Sequence, residues 1–264
     1  MTQDTFDAML ACLADPRDLR VWSVIMSAFG DLAQGPQDRL SGTSLGRLLD
    51  PLGLKPDAIR VALHRLRKEG WIESTRQGRV SLHQLSDFGR EQSAEVTPRI
   101  YDRTPPLPDR WSLLLAGTPS GQTRLDQLSD QPGVLRLGRQ AALCPGPVPE
   151  GDALLRQEMH PAHIPDWLKQ QVCPPALAAL AAQLLQDVRT AQDLCPGPDR
   201  LCPNQIATLR TVIVHRWRRV ALRAPLLPDG YFPQGWSGQT CRTQVLELLD
   251  HLPRPGLMEL DATA

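Results

Sequence analysis

Apolar residues recur at helical spacing from about Arg20 to Ala28 (RVWSVIMSA), again at Leu45, Leu48, Leu49 and Leu52, and a third time at Ile59, Ala62, Leu63 and Leu66. Each run predicts an amphipathic helix with one face turned to a common core. Ser41 or Thr43 can cap the second helix, which runs to Asp50, and Gly53 makes the turn into the third. Pro56 suits a first helical turn, where a missing N–H costs nothing, and Asp57 places a negative charge near the positive end of the helix dipole. Gly70 ends the third helix, and Trp71-Ile72 then opens an extended pair whose tip is Arg76-Gln77-Gly78-Arg79. Helix, turn, helix and hairpin in this order predict a winged helix-turn-helix over residues 20–95, preceded by an acidic, amphipathic segment at 1–19.

Beyond Gly89 a polar helical stretch leads to TPPLPDR, whose prolines mark a linker at 96–110. Trp111–Gly117 reads as a buried strand, Thr123–Asp130 as a helix, and GVLRLG, AALCPG and GDALLRQEM as extended segments. This order predicts a small ferredoxin-like domain over 111–165, trimmed because PGPVPEG leaves no room for a second helix. The remainder, 166–264, predicts an all-helical C-terminal domain. Pro174–Asp193 is rich in Ala, Leu and Gln, Asn204–Arg223 carries Ile206, Leu209, Ile213, Trp217 and Val220 on one face, and a last helix spans about Gln239 to His251. The fold class is therefore α+β.

Charge changes the picture at one place. Between Lys55 and Arg79 there are seven basic residues against three acidic ones, while the net formal charge of all 264 residues is zero. That balance argues against a protein that coats nucleic acid indiscriminately and for one with a localised basic patch. Arg60, His64 and Arg67 share a face of the third helix at i, i+4 and i+7, with Arg65 and Lys68 alongside, and Arg76 and Arg79 tip the hairpin. Such donors suit phosphates and guanine edges, so the expected partner is double-stranded DNA. No run of eighteen apolar residues occurs and the N-terminus lacks a basic-then-apolar leader, which predicts a cytoplasmic protein without a membrane partner. The six cysteines form no CxxC pair and read as free thiols. His160 and His163 lack a third ligand, and no GxSxG, P-loop or HExxH motif occurs, so no metal, cofactor or catalytic residue is expected.

FGDL (Phe29–Leu32), PLGL with IRVALHRLRKEGW (Pro51–Trp71), GRVSLHQLSDFG (Gly78–Gly89), RIY (Arg99–Tyr101), WSLLL from Trp111 and HRWRRVALRAPLLPDGYFPQGWSGQTCR from His215 run in order along the chain. Together they resemble the PaaX family of bacterial transcriptional regulators. The resemblance implies a homodimeric repressor of an aromatic-acid catabolic operon, bound to a palindromic operator and released by an aryl-acyl-CoA thioester such as phenylacetyl-CoA. Its helix and wing arginines fall on Arg60, Arg65, Arg67, Arg76 and Arg79, although Arg65 can equally pair with an acidic residue of the first helix. The family's middle domain resembles Cas2 nucleases, but here the first strand ends in Leu115-Ala116-Gly117 with no carboxylate until Asp126, so two-metal cleavage lacks its ligands. For a CoA thioester, the densest cationic group outside the DNA-binding region is His215, Arg216, Arg218, Arg219 and Arg223, with Trp217 or Trp236 to stack on a ring. Trp217 also reads as core beside Ile213 and Val220. Two departures bear on the effector: Ala224 stands where the family commonly has an acid, and the middle domain lacks a helix. A regulator of another pathway with a different effector, or a protein-interaction module, remain the alternatives.

Overall fold

The structure, a computed structural model, describes residues 2–15, 19–104, 107–131, 133–146, 151, 153–159, 163–195 and 200–262. Helix α1 (Thr2–Leu13) is followed by α2 (Val21–Leu32), strand β1 (Leu40–Ser41), α3 (Gly42–Leu49), a 3-10 turn at Asp50–Leu52 and α4 (Pro56–Lys68). Strands β2 (Ile72–Gln77) and β3 (Val80–Leu85) form an antiparallel hairpin with Ile72 opposite Leu85, and β1 pairs with the far edge of β3, giving the order β1-β3-β2. Local chemistry sets each boundary. The Ser41 hydroxyl accepts from the Ser44 N–H at 2.9 Å and caps α3. Gly53 closes the following turn at φ 72°, Gly70 ends α4 at φ 78° and Gly78 turns the hairpin at φ 60°. Leu45, Leu48, Leu49 and Leu52 of the second predicted helix and Ile59, Ala62, Leu63 and Leu66 of the third are buried as expected, while on α2 Trp22 remains 40% exposed.

Helix α2 continues past Ala28 to Leu32, because Phe29 and Leu32 join the core and Asp31, polar in sequence, is fully buried against a partner. Helix α5 (Asp87–Tyr101) starts at Ser86, whose hydroxyl accepts from the Gly89 N–H at 3.0 Å. A side chain at residue 89 would bring a Cβ within 2.1 Å of the Trp71 carbonyl oxygen, so glycine is what lets α5 cross the start of β2. The helix runs on through Pro98, and residues 96–101 of the proline-marked stretch are helical.

The middle region comprises β4 (Trp111–Leu115), α6 (Pro119–Ser129), β5 (Leu135–Arg136), β6 (Ala141–Pro145) and β7 (Leu155–Glu158). They make an antiparallel sheet in the order β5-β6-β4-β7. Leu125 and Leu128 of α6 cover one face, packing on Leu114, Ala142 and Cys144 in a small core of their own. The C-terminal helices are α7 (Asp166–Val172), α8 (Pro175–Leu194), α9 (Pro203–Ala221), α10 (Gly238–His251) and α11 (Leu257–Ala262). Helix α9 lies at the centre. It packs on α1, α2, α3, α5, α8 and α10, and every residue from Ile206 to Trp217 is buried. The larger apolar core is continuous from Phe6 to Leu260.

A helix buried on every side has to partner its polar groups internally. Arg210 of α9 meets Asp31 of α2 in a two-pronged pair, with Nε to Oδ2 and Nη2 to Oδ1 both at 2.8 Å. Tyr101 donates its hydroxyl to the same carboxylate at 2.9 Å, and Arg210 Nη1 donates to the carbonyls of Leu249 and Leu252 at the end of α10. Burial, followed by the neighbouring Asp31 charge, pushes the Tyr101 phenol well above its ordinary value of 10.0 and keeps it a donor. Replacing Asp31 by Asn leaves a buried guanidinium without its counter-charge; we expect a loss of about 3–5 kcal/mol in urea unfolding. A loss below about 1 kcal/mol, typical of a surface change, would contradict the central place given to this pair.

Candidate nucleic-acid interface

On α4 the stripe Ile59, Ala62, Leu63 and Leu66 faces the core, so the opposite side of a 3.6-residue helix presents Asp57, Val61, His64 and Lys68, flanked by Arg60 and Arg67 on one side and Arg65 on the other. All of these outer residues are exposed. Arg60, with 78% of its side chain exposed, pairs with Asp57 one turn back. Arg65 donates to Glu69 at 2.7 Å, and its guanidinium lies 5.7 Å from the centre of the Trp22 ring on α2. Its partner is thus an acid of its own helix together with an aromatic ring of α2. Arg76 and Arg79 are exposed at the hairpin tip, where Arg76 Nε donates to the Gly78 carbonyl at 3.2 Å. Exposed pairs of this kind are weak, so a phosphate can take over either cation.

Charge counting along the sequence misses one residue on this face. Val61 is 69% exposed at the middle of the cationic side, where its β-branched side chain meets solvent. The signal that could have found it is an apolar residue out of phase with the buried stripe. Beneath the hairpin, His83 is buried with its Nδ1 2.7 Å from the Ser74 hydroxyl. Burial, aided by the Arg67 charge, holds its pKa below the ordinary 6.5.

The cations suggested for an anionic effector differ in exposure: His215 and Arg216 are buried, Arg218 and Arg219 half-buried and Arg223 exposed. His215 is buried with Nδ1 3.4 Å from the Ser27 hydroxyl. Arg216 is buried too, donating to the Leu13 carbonyl at 3.0 Å and to Asp187 at 2.7 Å. Arg218 donates to the Ser27 hydroxyl at 3.2 Å, and burial lowers its pKa. These groups tie α9 to α1, α2 and α8. Trp236 lies elsewhere, stacked on Phe232 at 5.1 Å with an interplanar angle of 8°, on the wall of a cavity of about 260 Å3 between the ends of α9 and α10. Trp217 is buried and lines the same cavity, so it serves as core and wall together. Its indole N–H donates to the Ile100 carbonyl at 2.8 Å.

His160 lies outside the described residues. Among the described residues no group of three or more His, Cys, Asp or Glu side chains could hold a metal ion, the six cysteines are unbridged, and no helix is long and apolar enough to cross a membrane.

An exposed cationic helix joined through Gly70-Trp71 to an arginine-tipped hairpin, on an α+β scaffold, is the kind of surface that transcription regulators present to DNA. Two family models match the chain: "PaaX-like protein" over residues 20–89 and "PaaX-like protein C-terminal domain" over residues 175–258. The chain is also 29% identical over 245 residues to the transcriptional repressor PaaX of Escherichia coli (strain K12), covering 83% of this chain and 76% of that protein. Among solved structures, Rv0674 from Mycobacterium tuberculosis shares the fold at a TM-score of 0.55 and 18% identity, over 93% of this chain and 99% of that one. The chain belongs to the PaaX family of regulators.

His83 gives the hairpin a pH dependence. Its folded pKa lies below the unfolded 6.5, so the unfolded chain takes up the proton first as pH falls. The contribution of a neutral His83 is therefore complete above about pH 6.5 and is lost on acidification towards the folded value. We expect the unfolding midpoint to fall between about pH 7 and about pH 5 less steeply in His83→Asn than in the parent. Parallel pH curves for the two proteins would show that His83 plays no part.

Proposed function

We propose that the chain is a sequence-specific DNA-binding transcriptional regulator that represses an aromatic-acid catabolic operon of the phenylacetate type. In this reading it works in the cytoplasm as a homodimer on a palindromic operator, catalyses no reaction, and is released by an aryl-acyl-CoA thioester. The observation that carries it is the exposed cationic face of α4 next to the arginine-tipped hairpin β2–β3. The order α2, α3, α4, β2, β3, with β1 closing the small sheet, supports a winged helix-turn-helix over 20–95. The order β5-β6-β4-β7 with α6 on one face supports a trimmed ferredoxin-like unit over 111–165, and helices α7 to α11 support a helical unit over 166–264. That the E. coli relative is named a transcriptional repressor supports repression as the outcome of binding.

On this reading α4 lies in the major groove, where Arg60, His64, Arg67 and Lys68 reach base edges and phosphates, Arg65 leaves Glu69 for phosphate, and Arg76 and Arg79 straddle the adjoining backbone. Val61 is then the apolar group opposite a thymine methyl.

The test is competition binding with a duplex that the full chain itself selects from a random pool. Affinity should fall log-linearly with salt, and the selected duplex should outcompete random DNA. Arg79→Ala should weaken all duplexes alike and flatten the salt slope by about one unit, whereas Arg60→Ala should also relax sequence preference. No selection above random DNA would reject the proposal and favour a protein-interaction module. Replacing the selected thymines one at a time by uracil should weaken the parent at one position and leave Val61→Ala indifferent there; equal sensitivity of the two proteins would remove Val61 from the readout.

A further inference from the structure

We propose that the cavity between the C-terminal end of α9 and the N-terminal end of α10 receives a flat aromatic group, and that α5 carries the effect of its occupation to the hairpin. This rests on the regulatory reading above and gives it a ligand site distinct from the cations of α9.

The cavity has the shape and chemistry for such a group. Its volume of about 260 Å3 exceeds the ~150 Å3 that already admits a benzene in an apolar protein interior. Trp217, Val220, Leu227, Phe232 and Trp236 line it. A Cβ at residue 238 would fall 2.2 Å from the Trp236 ring, so glycine at the head of α10 is what lets that indole lie where it does. Arg242 adds a guanidinium 5.0 Å from the centre of the Trp217 ring. Exposed Pro228, Asp229 and Gln239 stand at the rim, so a polar carrier attached to the ring can remain in solvent.

The walls of this cavity also hold one end of α5. Arg242 Nη1 donates to the carbonyls of Arg99 and Asp102, both at 2.9 Å, and the Trp217 indole donates to that of Ile100. Arg99 returns the contact, donating to the carbonyls of Ala221 and Ala224 at 2.9 and 2.8 Å. Some 22 Å away along a 15-residue helix, the other end of α5 grips the junction between α4 and β2. There the Ser86 N–H donates to the Trp71 carbonyl at 3.1 Å, and Phe88 meets the Trp71 ring edge-on at 5.1 Å. A ring seated against Trp217 and Arg242 competes with the α5 carbonyls for the position of that guanidinium. A shift of α5 re-aims the hairpin relative to α4, and the ligand favours whichever arrangement binds it better.

The experiment uses the full chain with phenylacetyl-CoA, with free CoA as a ring-less control and phenylacetamide as the ring without its carrier. Both aromatic probes should raise the unfolding midpoint, and free CoA at equal concentration should not. Ala224→Leu, which fills the cavity, should weaken phenylacetyl-CoA binding about tenfold or more. Phe88→Ala, at the far end of α5 from the cavity, should bind the probe as the parent does, yet at saturation release the selected duplex about fivefold less completely. Hydrogen exchange on the parent reads the route without any substitution, and the probe should change protection at both residues 99–101 and the hairpin. No shift with either aromatic probe, or a folded Ala224→Leu that binds like the parent, overturns the site. Parent-like release by Phe88→Ala, or exchange changes confined to the cavity, overturns the route through α5. Ligand-free DNA selection judges the regulatory reading separately: a chain that selects DNA but ignores the probes sinks only the site, and one that binds the probes but selects no DNA sinks the regulator.

Discussion

The arrangement turns on one buried ion pair. Asp31, the acid of the FGDL segment, meets Arg210 at the centre of the helical core, and the same two side chains reach Tyr101 of α5 and the last carbonyls of α10. Desolvating two charges is expensive, so such a pair is a poor source of net stability; what it supplies is geometry, because each of its lone pairs and protons has one place to go. With α2 fixed on α9 in this way, the apolar stripe of α4 packs on α2 and the cationic side of α4 is turned outwards.

The chain uses its arginines in two ways. Those of α4 and the hairpin are exposed and held by weak neighbours, which suits groups that exchange partners with a polyanion. Arg99, Arg210, Arg216 and Arg242 instead donate to main-chain carbonyls at helix ends or in loops, the acceptors a packed helix leaves over. One guanidinium nitrogen serves two such carbonyls in Arg99, Arg210 and Arg242, and the rest of the planar fork stays available, as where Arg210 also meets Asp31. The uncancelled basic surface is consequently local even though the molecule carries no net charge.

Much of the fold was legible because its signals are local. The caps and glycine turns around α3 and α4 and the arginine-tipped hairpin each depend on residues close together in the chain. The exposure of Arg60, His64, Arg65, Arg67, Lys68, Arg76 and Arg79 followed from helical phase and turn position. Where reading failed, the cause was that residue type alone does not report burial. The periodicity predicts a first helix that stops near Ala28, and nothing in residue type marks Asp31 as an acid that will be buried in its continuation; the burial of His215 and Arg216 is likewise not readable from their charge. Val61 was overlooked for the converse reason, as an apolar residue on an outer face.

The sequence by itself determined the core stripes of α3 and α4, the cap and glycine turns that bound them, and that one helix face would be cationic, since periodicity, capping and φ preferences act within a few residues. Tertiary structure alone decided that α9 would be enclosed on every side, that its arginines would be spent on carbonyls far along the chain, and that a cavity would open beside Trp217, Trp236 and Arg242. Those outcomes depend on groups more than a hundred residues apart meeting at hydrogen-bond distance, such as Arg242 with the carbonyls of Arg99 and Asp102. Hydrogen bonds and apolar contacts form between neighbours in space, and for such pairs no spacing along the chain encodes the meeting.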